Sequence, residues 1–273
     1  MKSLLGFVTL FLLTAPVLAQ SSVVVRGPGD IVVTTNNPVL SDDAFVDNIL
    51  FPATVLLYDQ DETGGMHMLC TATAIEKDKG TYLFATAAHC ASEDNSDTHR
   101  AVAEKKFFYV SSDEIHSKTF IRANVVACGY QSRGDDFCLF SVTTDQKFPI
   151  VPVGVDAVTR GGEEIVNIAG PQGLGKQVFY GRITMPKLDR PVVVSSINWT
   201  NAVLLSLPGT NGGSSGSSII CMSQHAICGF LVGTIGDTTD VAVPVSRFKD
   251  FMAAVKAHTY KYYDPDPEVQ VRK

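Results

Sequence analysis

Leu83-Phe84-Ala85-Thr86-Ala87-Ala88-His89-Cys90 carries an apolar run into small residues and ends on a histidine beside a cysteine. The run from Thr81 to Thr86 reads as a strand. Histidine is the side chain best suited to take and return a proton near neutral pH. A disulfide at Cys90 would help hold the ring of His89 in one place. His89 is therefore a candidate general base.

Two further stretches follow in order. Gly134-Asp135-Asp136-Phe137-Cys138-Leu139-Phe140 opens an apolar run with acids. An aspartate at the start of a strand can enter a partly buried place, orient an imidazole and stabilise its protonated form. Taken alone, a turn aspartate before a strand is the commoner case. Asp135 rivals Asp136, but only Asp136 stands near the apolar run without another acid between. Pro208-Gly209-Thr210-Asn211-Gly212-Gly213-Ser214-Ser215-Gly216-Ser217-Ser218 is a Gly-Ser loop before the strand at Ile219. Glycines around a serine let the backbone turn sharply and aim N–H groups at one point. The N–H groups of Gly213 and Ser215 could hold a developing oxyanion. Taken alone, a flexible surface loop or linker is the commoner case for such a stretch.

Together the three stretches resemble the chymotrypsin-like serine peptidases, nearest to the bacterial, viral and HtrA-like branch. Ala85 to Cys90 resembles the family's T-A-A-H-C block. Asp136 to Phe140 resembles its aspartate block, and Gly213-Ser214-Ser215-Gly216-Ser217 its G-x-S-G-S block. The order His, Asp, Ser is this family's rather than that of subtilisins or α/β-hydrolases. The resemblance implies an all-β fold of two packed antiparallel barrels with a C-terminal helix. It implies His89, Asp136 and Ser215 as a triad, with Gly213 and Ser215 as the oxyanion hole. Ser214 and Ser217 lack the register of Ser215. It also places Thr210, Leu231, Val232 and Gly233 around the substrate side chain and supports a Cys70–Cys90 bridge. Ser214 stands where zymogens of the family carry an aspartate, so activation by a freed N-terminus is not expected. Gly209 stands where trypsins carry an acid, so the expected side-chain preference is neutral or apolar.

The rest of the chain fits a secreted peptidase. Lys2, the apolar run Leu4–Leu13 and Ala19 read as a signal peptide over 1–19. Six cysteines suit an oxidising compartment, secreted or periplasmic. They fall into local couples, Cys70 with Cys90, Cys128 with Cys138 and Cys221 with Cys228, although six cysteines allow about fifteen pairings. No C-x-x-C pair points to zinc. The net charge of −6 gives no sign of a nucleic-acid partner. Residues 20–44 read as an extended arm, 45–148 as the first barrel, 149–259 as the second with the helix, and 260–273 as a loose tail. Phe248, Phe251, Met252 and Val255 have helical spacing, with Ser246 as the expected N-cap. Glu93 to Asp97 reads as a solvated loop, and Asn198-Trp199-Thr200 is a glycosylation sequon. His67, His99, His116, His225 and His258 read as surface or packing residues. The chain is expected to act as a monomer on protein or peptide substrates, with no cofactor, no metal and no lasting membrane association. A fold of this kind that binds a partner without cleaving it is the alternative.

Overall fold

More buried and exposed residues alternate along the middle of Gln177–Met185. Phe179 and Ile183 turn inward, whereas Val178, Tyr180 and Arg182 stand exposed. That two-residue period marks a strand with one buried face. The same logic repeats along the chain. The computed structural model describes residues 40–257 apart from 92, 96–99, 103–106, 113–118, 130–133, 157–160, 189–191, 195–196, 200–201 and 236–237. The leader read at 1–19, the arm up to residue 39 and the tail at 260–273 lie outside the described residues, as do His99, His116 and His258.

Three short helical pieces open the described chain: α1 (Asp42–Phe45), a π-wound piece (Val46–Leu50) and α2 (Phe51–Ala53). Residues 42 to 44, read as the end of an extended arm, are therefore helical. Phe45, Val46, Leu50 and Ala53 are buried, and this burial stabilises the helical path. Lys176 Nζ closes its end by donating to the carbonyls of Phe51 (2.8 Å) and Thr54 (3.1 Å).

Strands β1 (Thr54–Gln60), β2 (Met66–Asp78) and β3 (Thr81–Thr86) follow. β4 (Glu93–Asn95) and β5 (Arg100–Val102) pair as a small hairpin. This corrects the solvated-loop reading of Glu93 to Asp97: backbone pairing, which side-chain polarity does not reveal, makes the first three residues a strand. β6 (Phe107–Ser111), β7 (Ile121–Cys128) and β8 (Cys138–Thr143) complete a closed antiparallel barrel in the order β1-β2-β3-β8-β7-β6. The second barrel uses β9 (Glu164–Ala169), β10 (Gln177–Met185), β13 (Val203–Ser206), β14 (Ser218–Cys221), β15 (Ala226–Ile235) and β16 (Thr239–Pro244). It closes in the order β10-β13-β16-β15-β14-β9. β11 (Val192–Val194) and β12 (Ile197–Trp199) form a separate hairpin. Closure leaves neither barrel with a free edge. Disulfides join Cys70 to Cys90, Cys128 to Cys138 and Cys221 to Cys228.

The C-terminal helix α3 (Val245–Lys256) starts one residue before the expected cap. Pro244 takes the N-cap position, and the Ser246 N–H donates to Asp156 Oδ1 at 2.7 Å. A carboxylate from another segment thus satisfies a first-turn N–H group. Phe248 and Phe251 are fully buried. Phe248 meets Phe230 at 4.6 Å and Phe137 at 5.8 Å between ring centroids, and Phe251 meets Phe137 at 4.8 Å. Phe137 precedes β8 of the first barrel and Phe230 lies on β15 of the second, so α3 seals both. Phe248→Ala is expected to cost about 3–5 kcal/mol through lost burial and the cavity left behind. Chemical denaturation of parent and variant measures it.

Candidate active site

Strand β3 delivers Ala87 into a tight turn, Ala88–Cys90, that presents His89. The Cys70–Cys90 bridge ties that turn to β2. Asp136, wholly buried, holds the histidine twice. Its Oδ1 accepts the His89 backbone N–H at 2.9 Å, and its Oδ2 lies 2.7 Å from Nδ1. An ionised carboxylate only accepts hydrogen bonds, so Nδ1 carries the proton and Nε2 is left with its lone pair. Burial works against the charged ring of His89. The charge of Asp136 and its hydrogen bond outweigh burial and raise the pKa above the ordinary 6.5.

Asp136 is held on both sides by α3. The neighbouring Asp135, also wholly buried, pairs with Arg247 at 2.5 Å. Phe137 packs on Phe248 and Phe251. The two adjacent acids are thus separated in role by their partners: Asp136 faces His89 and Asp135 faces a guanidinium.

The Gly-Ser loop comes to the histidine from the second barrel. A Cβ on Gly216, at φ +80°, would land on Thr86 Oγ1, Ala87 N and Thr71 O. Only glycine lets Ser215 approach the histidine segment this closely. Every carbonyl from Gly212 to Ser215 is anchored. Gly212 O accepts from Gln172 N (2.6 Å), Gly213 O from Thr71 Oγ1 (2.9 Å) and Ser215 O from Thr71 N (2.9 Å). Ser214 O accepts from Ser217 N (3.2 Å) and Ser217 Oγ (2.7 Å), and Asn167 Nδ2 in turn donates to Ser217 Oγ (2.7 Å). Because the peptide unit is planar and trans, fixing each carbonyl fixes the direction of the N–H that follows. The N–H groups of Gly212, Ser214, Gly216 and Ser217 all have acceptors. Those of Gly213 and Ser215 have none among the described residues. Ser215 is half-buried, and no hydrogen bond joins its Oγ to His89 among the described residues.

A cavity of about 410 Å³ opens beside Ser215. Thr210, Gly212, Ser214, Leu231, Gly233 and Thr234 line it. Val232, expected beside the substrate, turns away into the main core, because successive strand residues face opposite sides. Leu231 instead holds the loop from behind: its carbonyl accepts Gly216 N (2.7 Å), and its N–H donates to Ser217 O (2.9 Å). The sequence reading missed Asp240. It lies on β16, is 4% exposed, and accepts hydrogen bonds from Thr210 Oγ1 (2.6 Å) and Leu207 N (2.9 Å). Burial pushes its carboxyl up, and those two hydrogen bonds offset only part of the rise. An acid directly before the apolar run Val241-Ala242-Val243 was the available signal.

The family described as lysyl endopeptidase, C-terminal domain, matches residues 53–243. No curated protein sequence matches the chain. The solved serine endoprotease from Yersinia pestis is 16% identical with a TM-score of 0.55, covering 80% of this chain and 67% of that one. An HtrA-type protease, AlgW, solved with a decapeptide, is 15% identical with a TM-score of 0.59, covering 80% and 68%. These likenesses show the chymotrypsin-like double-barrel protease fold.

His89 should titrate above 6.5, and Asp136→Asn should lower its midpoint, as read by NMR of the ring carbons. A raised folded pKa adds stability that is full below about 6.5 and is lost as pH rises through the folded midpoint. A parent midpoint at or below 6.5 would show that burial outweighs Asp136.

Proposed function

The chain belongs to the lysyl endopeptidase C-terminal domain family, and we propose that it is an exported serine endopeptidase acting through Ser215, His89 and Asp136. The observation that carries this reading is the pair of N–H groups, Gly213 and Ser215, left without acceptors beside a histidine held by a buried aspartate. They would donate to the carbonyl oxygen of the scissile bond. Ser215 Oγ attacks the carbonyl carbon and gives its proton to His89 Nε2. The oxyanion is held by the two N–H groups. His89 passes the proton to the departing amine as the C–N bond breaks. Water then enters, loses a proton to His89 and attacks the acyl carbon; the bond from that carbon to Ser215 Oγ breaks, Oγ takes the proton back from His89 and the acid leaves, while Asp136 steadies the imidazolium throughout. The Ser215–His89 hydrogen bond forms in the substrate complex, where such bonds commonly tighten.

The side chain on the acyl side enters the 410 Å³ cavity. The expectation of a neutral preference rested on Gly209. The buried carboxylate arrives instead from β16, behind the cavity-lining Thr210. A lysine ammonium would offset the burial of Asp240, and the lysyl specificity in the family's name agrees with that. The leader read at residues 1–19 and the three disulfides support an extracytoplasmic site of action. No helix among the described residues is long and apolar enough to cross a membrane.

A fluorophosphonate should label the mature protein at Ser215, and Ser215→Ala and His89→Ala should each abolish labelling. Absence of labelling in folded parent protein would instead favour a binding module of the same fold. Asp240→Asn should reduce kcat/KM for lysine substrates at least about 30-fold relative to leucine ones, the lower end of what removing one partner of a buried charge pair costs. An unchanged lysine-to-leucine ratio would remove Asp240 from specificity.

A further inference from the structure

We propose that a second cleft, lined by Tyr58, Met66, Met68 and Gly213, is a leaving-group subsite that selects a long apolar or aromatic side chain two residues past the scissile bond. The inference rests on the peptidase reading above. The cleft has a volume of about 370 Å³ and includes Gly212, Gly213 and Gln172 in its wall. Gly212 also lines the acyl-side cavity. The two spaces therefore lie on either side of one short backbone segment, the segment that carries the free Gly213 N–H.

The period of an extended chain decides which substrate residue reaches it. Successive side chains of a strand face opposite ways, and alternate ones lie about 6.8 Å apart on the same side. With one side chain in the acyl-side cavity, the next faces away from it. The one after that returns to the same side, beyond Gly213.

The chemistry of the wall sets the class of side chain. In the β1–β2 register Tyr58 pairs with Met68 and Gln60 with Met66, so Met66 and Met68 share a face with Tyr58. The thioether of Met68 lies against the loop backbone. A Cβ on Gly170 would meet its methyl carbon at 2.7 Å, and one on Gly213 its sulfur at 3.1 Å. The Tyr58 ring is braced from behind by Phe120, edge-on at 4.9 Å. Unbranched thioethers beside a fixed ring adapt to flexible apolar and aromatic side chains. The rim adds a sign. His67 lies in the wall, and its Nε2 meets Asp61 Oδ2 at 2.7 Å. Hydrogen bonds from His67, Thr63 and Gly65 hold the Asp61 carboxyl well below the usual range. A permanent negative charge at this rim disfavours an acidic side chain.

The test uses the leaving-group side alone. A blocked lysine ester with a small alcohol leaving group forms the acyl-enzyme without filling the cleft. Added dipeptide amides Gly-Xaa-NH2 then compete with water for the acyl group, binding where the leaving peptide binds. Amides with Xaa leucine, methionine or phenylalanine should capture the acyl group at roughly 10-fold lower concentration than those with glycine or aspartate, about half the transfer free energy of such side chains. Met68→Glu and Tyr58→Ala should flatten that series, read for each variant as the ratio of capture to hydrolysis of its own acyl-enzyme. Equal capture across Xaa, or a preference that survives in Met68→Glu, overturns the subsite while the peptidase reading stands. Absence of ester turnover in the parent overturns both. If a variant does not fold, the parent series decides alone.

Discussion

Thr71, wholly buried on β2 of the first barrel, makes four hydrogen bonds on which the geometry of the site depends. Its N–H donates to Ser215 O and its hydroxyl to Gly213 O. The same hydroxyl accepts the N–H of Gly170, and its carbonyl accepts Thr86 Oγ1. One residue thus connects the serine loop, the end of β9 and the strand that leads to His89. A buried polar group that loses a partner costs about 1–3 kcal/mol, so these four bonds stand or fall together. The close approach they enforce explains why position 216 has no room for a side chain.

The aspartate beside His89 obeys a second constraint. Burying two adjacent carboxylates is costly unless each has its own partner. Asp136 has the histidine; Asp135 has Arg247, which arrives from the last helix of the chain. Phe137 adds an apolar anchor on the same helix. The His89–Asp136 pair of the first barrel is therefore positioned by residues more than 100 positions later in the chain.

The serine loop needs no aspartate before Ser215 to hold its shape. Ser214 Oγ accepts the Asn211 N–H at 3.2 Å, and Asn167 reaches the loop through Ser217. The turn at Gln172, with its positive φ of 53°, supplies the N–H that fixes Gly212 O. All of these are internal contacts of the folded barrels, and none uses a chain terminus. The two N–H groups without acceptors among the described residues are those the bonded ones leave over.

The sequence by itself determined the local patterns: strands from two-residue alternation, the helix around Phe248 and Phe251, and a histidine, an aspartate and a serine in a recognisable order. These are short-range regularities, set by backbone geometry and by which side chains a sheet or helix face can bury. It misread β4 as a solvated loop and the helical start at Asp42 as extended arm, and it was silent on β5 and β12, where short polar or mixed segments pair through the backbone. It did not reveal that the buried Asp240 stands behind the cavity-lining Thr210, nor that the side chain of Val232 turns into the core. Asp240 and Thr210 lie 30 residues apart and meet only because β16 sits beside β13 and β15 in the closed barrel. Tertiary structure alone decided that Asp135 pairs with Arg247, what anchors each carbonyl of the serine loop and where charge is buried, because burial and the matching of hydrogen bonds are properties of neighbours in space.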